Sequence, residues 1–116
     1  MIIVKSSEDK IAWIHEIHVE QYGIILAACD RDLLGKTLRR DDIEIVISER
    51  FYGGELVDED ELKRRLLQAD VLNLIGKRVI QLAEKLGLIH PDSKIFFEDE
   101  NGEQIPHAQM YRFMIR

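Results

Sequence analysis

The segment Val-Asp-Glu-Asp-Glu-Leu-Lys-Arg-Arg-Leu-Leu-Gln, residues 57–68, contains the clearest local signal in the chain. Asp58 can accept a hydrogen bond from an unpaired backbone amide at the start of a helix. Glu61, three residues on, completes an aspartate variant of the capping box, and Val57 and Leu62 occupy the positions of a hydrophobic staple. The segment therefore predicts a helix that begins after Asp58 and runs to the end of the segment.

An apolar arc predicts a second helix over residues 71–86. On a helical wheel one side carries Val71, Leu72, Ile75, Gly76, Val79, Leu82, Ala83 and Leu86. Gly76 falls on this buried arc, where its missing side chain would let another backbone approach. Gly87, with Pro91 beyond it, is typical of a left-handed C-terminal stop.

The residues before this helical region are typical of strands. Residues 11–19 alternate between apolar and polar types, which predicts a strand with Ile11, Trp13, Ile17 and Val19 on its buried side. A tight turn at residues 21–23 and the apolar run 24–29 predict a hairpin whose second strand is central. Residues 43–47 predict a third strand, and residues 1–5 an edge strand or an ordered arm.

Strand signals return after the helices. Residues 94–99 predict a strand, and Asn101-Gly102 would supply the positive φ angles of a tight hairpin turn. Pro106 predicts that the return strand starts at an edge or a bulge. This order predicts an α+β fold: a small, mostly antiparallel sheet with a two-helix insertion between N-terminal and C-terminal strands. A single domain would span residues 1–116, with residues 1–14 as an N-terminal extension or edge strand.

Composition and cysteine content argue against several classes of protein. The net charge of −6 disfavours non-specific coating of nucleic acid, which needs a positive field. The single cysteine, Cys29, excludes an intramolecular disulfide and a cysteine-based metal site. His15 and His18 are three apart on a predicted strand and point to opposite faces, so they cannot chelate one ion. We therefore predict no metal site and no cofactor.

The chain also lacks the usual signals of export and membrane insertion. No apolar run approaches the ~20 residues of a membrane-spanning helix. The N-terminus has its apolar residues first and acidic residues soon after, unlike a signal peptide. We therefore expect a cytoplasmic protein with no membrane partner.

Four short segments together resemble an archaeal protein family. They are Cys29–Lys36 (CDRDLLGK), Phe51–Gly54 (FYGG), Asn73–Gly76 (NLIG) and Pro106–Gln109 (PHAQ). Their order and spacing are similar to those of the archaeal family known as domain of unknown function 424, over roughly residues 15–109. The resemblance implies an archaeal protein, and it implies an association with translation, because genes of this family often lie near translation and ribosome-maturation genes. It transfers no catalytic residue, since none is assigned in the family.

The tripeptide Gly35-Lys36-Thr37 invites comparison with a phosphate-binding loop. The complete loop needs a glycine where Asp30 stands, and a helix after the lysine. The alternative is a strand-end turn in which Asp30 satisfies backbone amides and Gly35 adopts a positive φ. We favour the turn.

Cys29 has two interpretations. It ends an apolar run, which favours a small buried packing residue. A nucleophilic cysteine would need a base and an electropositive setting. His107 could supply the base only if the fold brings it close.

The hypothesis that we prefer is a non-enzymatic binding module for RNA or the translation apparatus. Its contact face would join Lys36, Arg39 and Arg40 to Phe51, Tyr52, Gly53 and Gly54, with His107 and Gln109 nearby. Aromatic side chains can stack on bases, and glycines permit close approach of a partner. The alternative is a purely structural role for residues 51–54, as a core aromatic residue followed by a turn into the first helix. The partners would be ribosomal RNA, tRNA or a translation factor.

Two other hypotheses stay open. A small enzyme or ligand-binding protein would have a pocket formed by Asp30, Lys36, Tyr52, His107 and Gln109. Convergence of these side chains in one concave site would favour it. A protein–protein adaptor would instead expose a large apolar patch.

Overall fold

The computed structural model describes residues 9–112, which form an eight-stranded sheet and three helices. The strands are β1 (Lys10–Val19), β2 (Gly23–Asp30), β3 (Thr37–Arg40), β4 (Ile43–Val46), β5 (Glu55–Asp58), β6 (Val71–Ile75), β7 (Ile95–Glu98) and β8 (Gln104–Tyr111). The helices are α1 (Glu49–Tyr52), α2 (Glu59–Gln68) and α3 (Lys77–Lys85). The predicted edge strand at residues 1–5 lies outside the described residues.

The order of the sheet is β4-β3-β7-β8-β6-β2-β1-β5. Within it β2 and β6 are parallel, and the other neighbouring strands are antiparallel. The fold is therefore α+β with a mostly antiparallel sheet, as predicted, but the sheet is larger than expected. None of the helices in residues 9–112 is long and apolar enough to cross a membrane.

The helix predicted after Asp58 is confirmed as α2. The Asp58 carboxylate accepts a hydrogen bond from the Glu61 amide at 2.9 Å. Val57 and Leu62, the two staple positions, are 2% and 0% exposed. Local capping and packing therefore set the start of this helix.

The prediction of one helix over residues 71–86 is wrong for residues 71–75. Residues 71–75 form β6, a central strand between β2 and β8, and α3 begins only at Lys77. A strand buried on both faces is apolar at both parities, so its apolar residues also fit one side of a helical wheel. The two helices are therefore not one insertion, because β6 separates them.

Each face of the sheet has its own apolar core. On the helix-covered face, α2 and α3 pack against side chains that include Leu26, Ala28, Leu72, Leu74 and Ala108. On the opposite face, which we call the α1 face, the core contains Ala27, Cys29, Leu38, Ile47, Tyr52, Ile75, Phe97 and Ile105. Because α1 has only four residues, it covers only part of this second face.

The predicted alternation in β1 is only partly correct. Of the four residues expected to be buried, Ile11 is 6% exposed, but Ile17 is 44% exposed. On the opposite parity, Ala12 and Ile14 are 0% and 1% exposed. Ile11, Ala12 and Ile14 all pack in the helix-covered core, because a β-bulge between Lys10 and Ala12 breaks the alternation at the start of β1. The end of β1 lies on the open part of the α1 face.

The predicted hairpins are present, with one change of turn geometry. β1 pairs antiparallel with β2, and β7 with β8. In the second turn Gly102 has a φ of 78°, but Asn101 does not have a positive φ. Instead, the Asp99 carboxylate accepts bonds from the amides of Asn101 and Glu103 at 2.8 and 2.9 Å. A side-chain acceptor therefore stabilises this turn in place of two left-handed residues.

Pro106 lies inside the sheet and not at its edge. β8 has β7 on one side and β6 on the other, and Pro106 pairs with Phe96. The last pair between β6 and β8 is Ile75 with His107, so Pro106 lies just beyond that ladder. Its carbonyl accepts a bond from Gly76 at 2.9 Å. The missing N–H therefore removes no ladder hydrogen bond, which is why an interior strand tolerates the proline.

Candidate functional site

The turn after β2 is structural. The two Asp30 carboxylate oxygens accept bonds from the amides of Arg78 and Val79, at 3.0 and 2.9 Å, in the first turn of α3. Burial raises the pKa of Asp30 above its usual value, while the two amide bonds act in the opposite direction. Gly35 has the expected positive φ, 87°. Since β3 begins at Thr37, no helix follows the lysine, and the segment is not a phosphate-binding loop.

Gly76 is needed for a different reason from the one predicted. It precedes α3 with a φ of 120°, and a Cβ at this position would lie 2.3 Å from the Cγ of Asp30. The close approach is therefore made by a carboxylate, not by another backbone, and Gly76 is not inside a helix.

Cys29 is a packing residue of the α1-face core. Its side chain is 0% exposed, and burial raises the pKa of the thiol to about 12. A nucleophilic cysteine needs a lowered pKa. The arrangement is therefore the opposite of what nucleophilic catalysis requires.

Two of the three predicted basic residues, Arg39 and Arg40, have hydrogen-bond partners at one end of the sheet. Arg39 pairs with Glu44 at 2.9 Å, and Arg40 donates to the carbonyl of Phe96 at 3.1 Å. These partners lie on β4 and β7. In the sheet order, four strands separate β3 from β1. The partners of Arg39 and Arg40 are therefore far from β1, the strand to which the predicted contact residue Gly54 hydrogen-bonds.

The paired glycines attach α1 to β1. The amide of Gly53 donates to Glu49 at 2.6 Å, and the amide of Gly54 donates to the carbonyl of Ile14 at 3.1 Å. A Cβ on Gly54 would lie 2.7 Å from that carbonyl oxygen. The glycines therefore allow α1 to approach the sheet, and Tyr52, 6% exposed, becomes a core aromatic.

Tyr52 and His107 meet through Asn73. The Tyr52 hydroxyl donates to Asn73 Oδ1 at 3.0 Å, and His107 Nε2 lies 3.3 Å from the same oxygen. Because a carbonyl oxygen only accepts, Nε2 carries the proton. Burial lowers the pKa of His107 and raises that of Tyr52. A neutral imidazole and a protonated phenol therefore hold Asn73 in one orientation.

Side chains on the α1 face form rows across β1, β2, β6 and β8. One row, Trp13, Cys29 and Ile75, packs in the same core as Tyr52. The next consists of His15, Ala27, Asn73 and Gln109, and the third of Ile17, Ile25, Val71 and Tyr111. The second and third rows extend beyond α1, and they form the floor of the open area.

The open area is divided by Phe51. This ring is 48% exposed and contacts Tyr52 edge to face, with 4.7 Å between ring centroids. A cavity of about 400 Å³ on one side is lined by His15, Ile17, Ile25, Ala27, Ser48, Arg50 and Phe51. A cavity of about 420 Å³ on the other is lined by Tyr22, Ile25, Phe51, Val71, Leu72, Asn73, Gln109 and Tyr111. We call these two cavities and the ring between them the Phe51 face.

The Phe51 face differs in charge from the rest of the molecule. The chain has 22 acidic residues and a net charge of −6. Among residues 9–112, no acidic side chain lines either cavity, and Arg50 lines one of them. Phe51 and Gln109 are contact residues predicted from the sequence, whereas Asn73 was not predicted as one. The sequence does single out Asn73, because it is the one polar residue in the apolar run 71–75.

The five residues of the pocket hypothesis do not converge. Asp30 and Lys36 line a separate polar depression of about 630 Å³, together with Lys77, Asp99 and Glu103 among others. Tyr52 and His107 contact Asn73, and Gln109 lines the Phe51 face. Within residues 9–112, no group of three His, Cys, Asp or Glu side chains could hold a metal ion.

Fold and site together define a class: an α+β protein whose sheet is covered by helices on one face and partly open on the other. The chain belongs to the family described as protein of unknown function (DUF424), whose model matches residues 17–113. It is similar to the crystal structure of an uncharacterized conserved protein from Methanopyrus kandleri, with 25% identity and a TM-score of 0.66. That similarity covers 86% of this chain and 90% of the other. No curated protein matches.

Proposed function

We propose that this protein is a non-enzymatic module that binds unpaired RNA bases on the Phe51 face. The observation that carries the proposal is an exposed aromatic ring between two cavities whose described lining residues include no carboxylate. Phe51 is 48% exposed, and the cavities beside it have volumes of about 400 and 420 Å³. Bases of any type stack on exposed aromatic rings. Each cavity is within the size range of small-ligand sites.

The charge distribution supports binding at one site instead of general coating. A chain with a net charge of −6 repels a polyanion over most of its surface. This repulsion is weaker at the Phe51 face, because its lining within the described part of the chain contains Arg50 and no carboxylate. An RNA strand would therefore meet less repulsion on the Phe51 face than over most of the acidic surface.

The state of the reactive groups supports a module without catalysis. Burial keeps the Cys29 thiol protonated, since its pKa is raised to about 12. His107 and Tyr52 both donate to Asn73. Tyr52 and His107 position the carboxamide of Asn73, and Cys29 is a buried thiol. None of the three side chains is arranged to attack a substrate.

Ribosomal RNA and tRNA are the partners that we propose, because sequence-specific recognition of RNA uses unpaired bases in loops and ends. Lys36, Arg39 and Arg40 are the proposed contacts to phosphate groups outside the Phe51 face. A translation factor is the alternative partner if the protein binds no RNA.

The test is fluorescence anisotropy with labelled octanucleotides of uridine, cytidine and adenosine. Phe51→Ala should weaken binding about ten-fold or more, because stacking of one base contributes ~1–3 kcal/mol. The matched control is Phe96→Ala. Phe96 is 40% exposed, but Phe97 beside it belongs to the α1-face core, so Phe96 points to the opposite face. This control should bind as the parent does.

Charge reversal at Lys36, Arg39 and Arg40 tests the phosphate contacts separately. Affinity for all three octanucleotides should fall together, and its dependence on salt should decrease, as release of counterions requires. The proposal is wrong if the parent binds none of the octanucleotides, or if Phe51→Ala and Phe96→Ala bind equally well.

A further inference from the structure

Two carboxamide side chains lie next to each other in the floor of the Phe51 face. Asn73 in β6 and Gln109 in β8 are directly opposite each other in register, and both line the cavity of about 420 Å³. Directly opposite side chains have Cβ atoms about 4.5–5.5 Å apart. One planar ligand can therefore contact both.

Each carboxamide oxygen already accepts a hydrogen bond from the protein. Asn73 Oδ1 accepts from Tyr52 and His107. Gln109 Oε1 accepts from the Tyr111 hydroxyl at 3.1 Å. Among the described residues, neither amino group of the pair has a hydrogen-bond partner. The floor of the cavity therefore presents hydrogen-bond donors.

The Asn73 carboxamide is held in this orientation by the buried tyrosine. If the side chain were reversed, its amino group would face the Tyr52 hydroxyl, and the hydroxyl proton would lose its acceptor. Tyr52 is only 6% exposed, so water does not easily replace that acceptor. An unsatisfied buried donor is costly, which favours the observed orientation.

We infer that the Phe51 face selects bases that carry a carbonyl oxygen and discriminates against adenine. This inference rests on the proposed RNA binding. Adenine is the only standard RNA base without a carbonyl oxygen, and its amino group lies beside the ring nitrogens that accept hydrogen bonds. A carboxamide ordinarily recognises adenine by accepting a hydrogen bond from its amino group while donating to its N7. Asn73 cannot make this paired contact, because both lone pairs of its Oδ1 are occupied by Tyr52 and His107, and it offers only its amino donor. Uracil instead offers two carbonyl oxygens.

Stacking alone predicts the reverse order of affinities. Adenine has two fused rings and covers more of an aromatic side chain than uracil does, so stacking on Phe51 favours adenine. A preference for uracil would therefore come from the hydrogen-bonding floor.

The experiment compares the affinities for octauridine and octaadenosine. We expect the parent to bind octauridine at least about five-fold more tightly, since a correct pair of base contacts discriminates by ~1–3 kcal/mol. Asn73→Asp keeps an oxygen for Tyr52 and His107 but replaces the amino donor with an acceptor. The ratio of the two affinities should therefore fall to about one or below.

The carboxylate introduced by Asn73→Asp weakens the binding of any RNA. The test therefore uses the ratio of the affinities for octauridine and octaadenosine, and not either affinity alone. Gln81→Glu adds the same charge on α3, which packs on the helix-covered face, and it should leave the ratio unchanged. Gln109→Glu, at an exposed position, repeats the test if Asn73→Asp does not fold. If the parent binds octaadenosine as well as or better than octauridine, or if neither carboxylate variant changes the ratio, the inference is wrong and the proposed function stands. If the parent binds neither, both are wrong.

Discussion

The carboxylate of Asp30, at the end of β2, accepts a hydrogen bond from the backbone amide of Val79, in the first turn of α3, at 2.9 Å. Its second oxygen accepts from the amide of Arg78 at 3.0 Å. One side chain therefore connects the sheet to the helix and places negative charge at the helix N-terminus, where the backbone dipoles favour it.

Asp30→Ala should lower the free energy of unfolding by about 1–2 kcal/mol, because two amides of the first turn lose their acceptor. Chemical denaturation measures the loss. Asp32→Ala is the control, since Asp32 is an exposed acidic residue in the same turn. Its substitution should change stability by less than about 0.5 kcal/mol. Equal losses would mean that the Asp30 cap contributes nothing.

Gly76→Ala should destabilise the protein by ~1–3 kcal/mol. The backbone at Gly76 has a φ of 120°, and the new Cβ would lie within 2.4 Å of the Asp30 carboxyl group. Gly87→Ala is a matched control, because Gly87 also has a positive φ, 75°, but nothing lies within 4 Å of the added Cβ. Its loss should be smaller. An increase in stability for Gly76→Ala would be expected only inside a helix, and it would contradict the observed backbone.

Asp58→Ala should lower stability by ~1 kcal/mol, because the Glu61 amide loses its acceptor at the start of α2. RNA binding should stay unchanged, since α2 packs on the helix-covered face. Asp60→Ala, an exposed substitution in the same first turn, provides the comparison. Denaturation and anisotropy together separate a structural effect from a functional one.

The stability of the parent should fall below about pH 6.5, the ordinary pKa of histidine. Burial lowers the pKa of His107 in the folded state, so the unfolded chain takes up a proton at a pH where the folded chain does not. Stability therefore rises with pH through this window and is lost as the pH falls.

His107→Gln removes this contribution to the pH dependence. The difference in unfolding free energy between the parent and the variant should shrink from pH 7.5 to pH 5. Denaturation at several pH values measures it. Parallel stability curves would show that His107 titrates alike in the folded and unfolded chains.

Local signals predicted the parts of the fold that depend on neighbouring residues. The cap at Asp58 and the hairpin between β1 and β2 are examples, because their partners lie a few residues away. The assignment of residues 71–75 failed because a doubly buried strand has no alternation, and its burial comes from β2 and β8, which are distant in the sequence. β3 was also missed, since its four residues include one buried side chain, Leu38.

Only part of the candidate site could be predicted, because its residues come together through pairing between distant strands. Phe51 and Gln109 were selected by residue type, and both line one cavity. Their meeting with Asn73 depends on the pairing of β6 with β8, which no local pattern specifies. The partners of Arg39 and Arg40 depend in turn on the position of β3 at the far end of the sheet.

The parallel pairing of β2 with β6 has a consequence for the kinetics of folding. This pair joins Ile25 to Val71, so it closes a long loop that contains β3, β4, α1, β5 and α2. The two hairpins, β1–β2 and β7–β8, involve only short sequence separations and can form first. β6 then connects them, because β2 lies on one side of it and β8 on the other. We expect this loop closure to limit the folding rate, so substitutions that weaken β6 should slow folding more than those that weaken either hairpin turn.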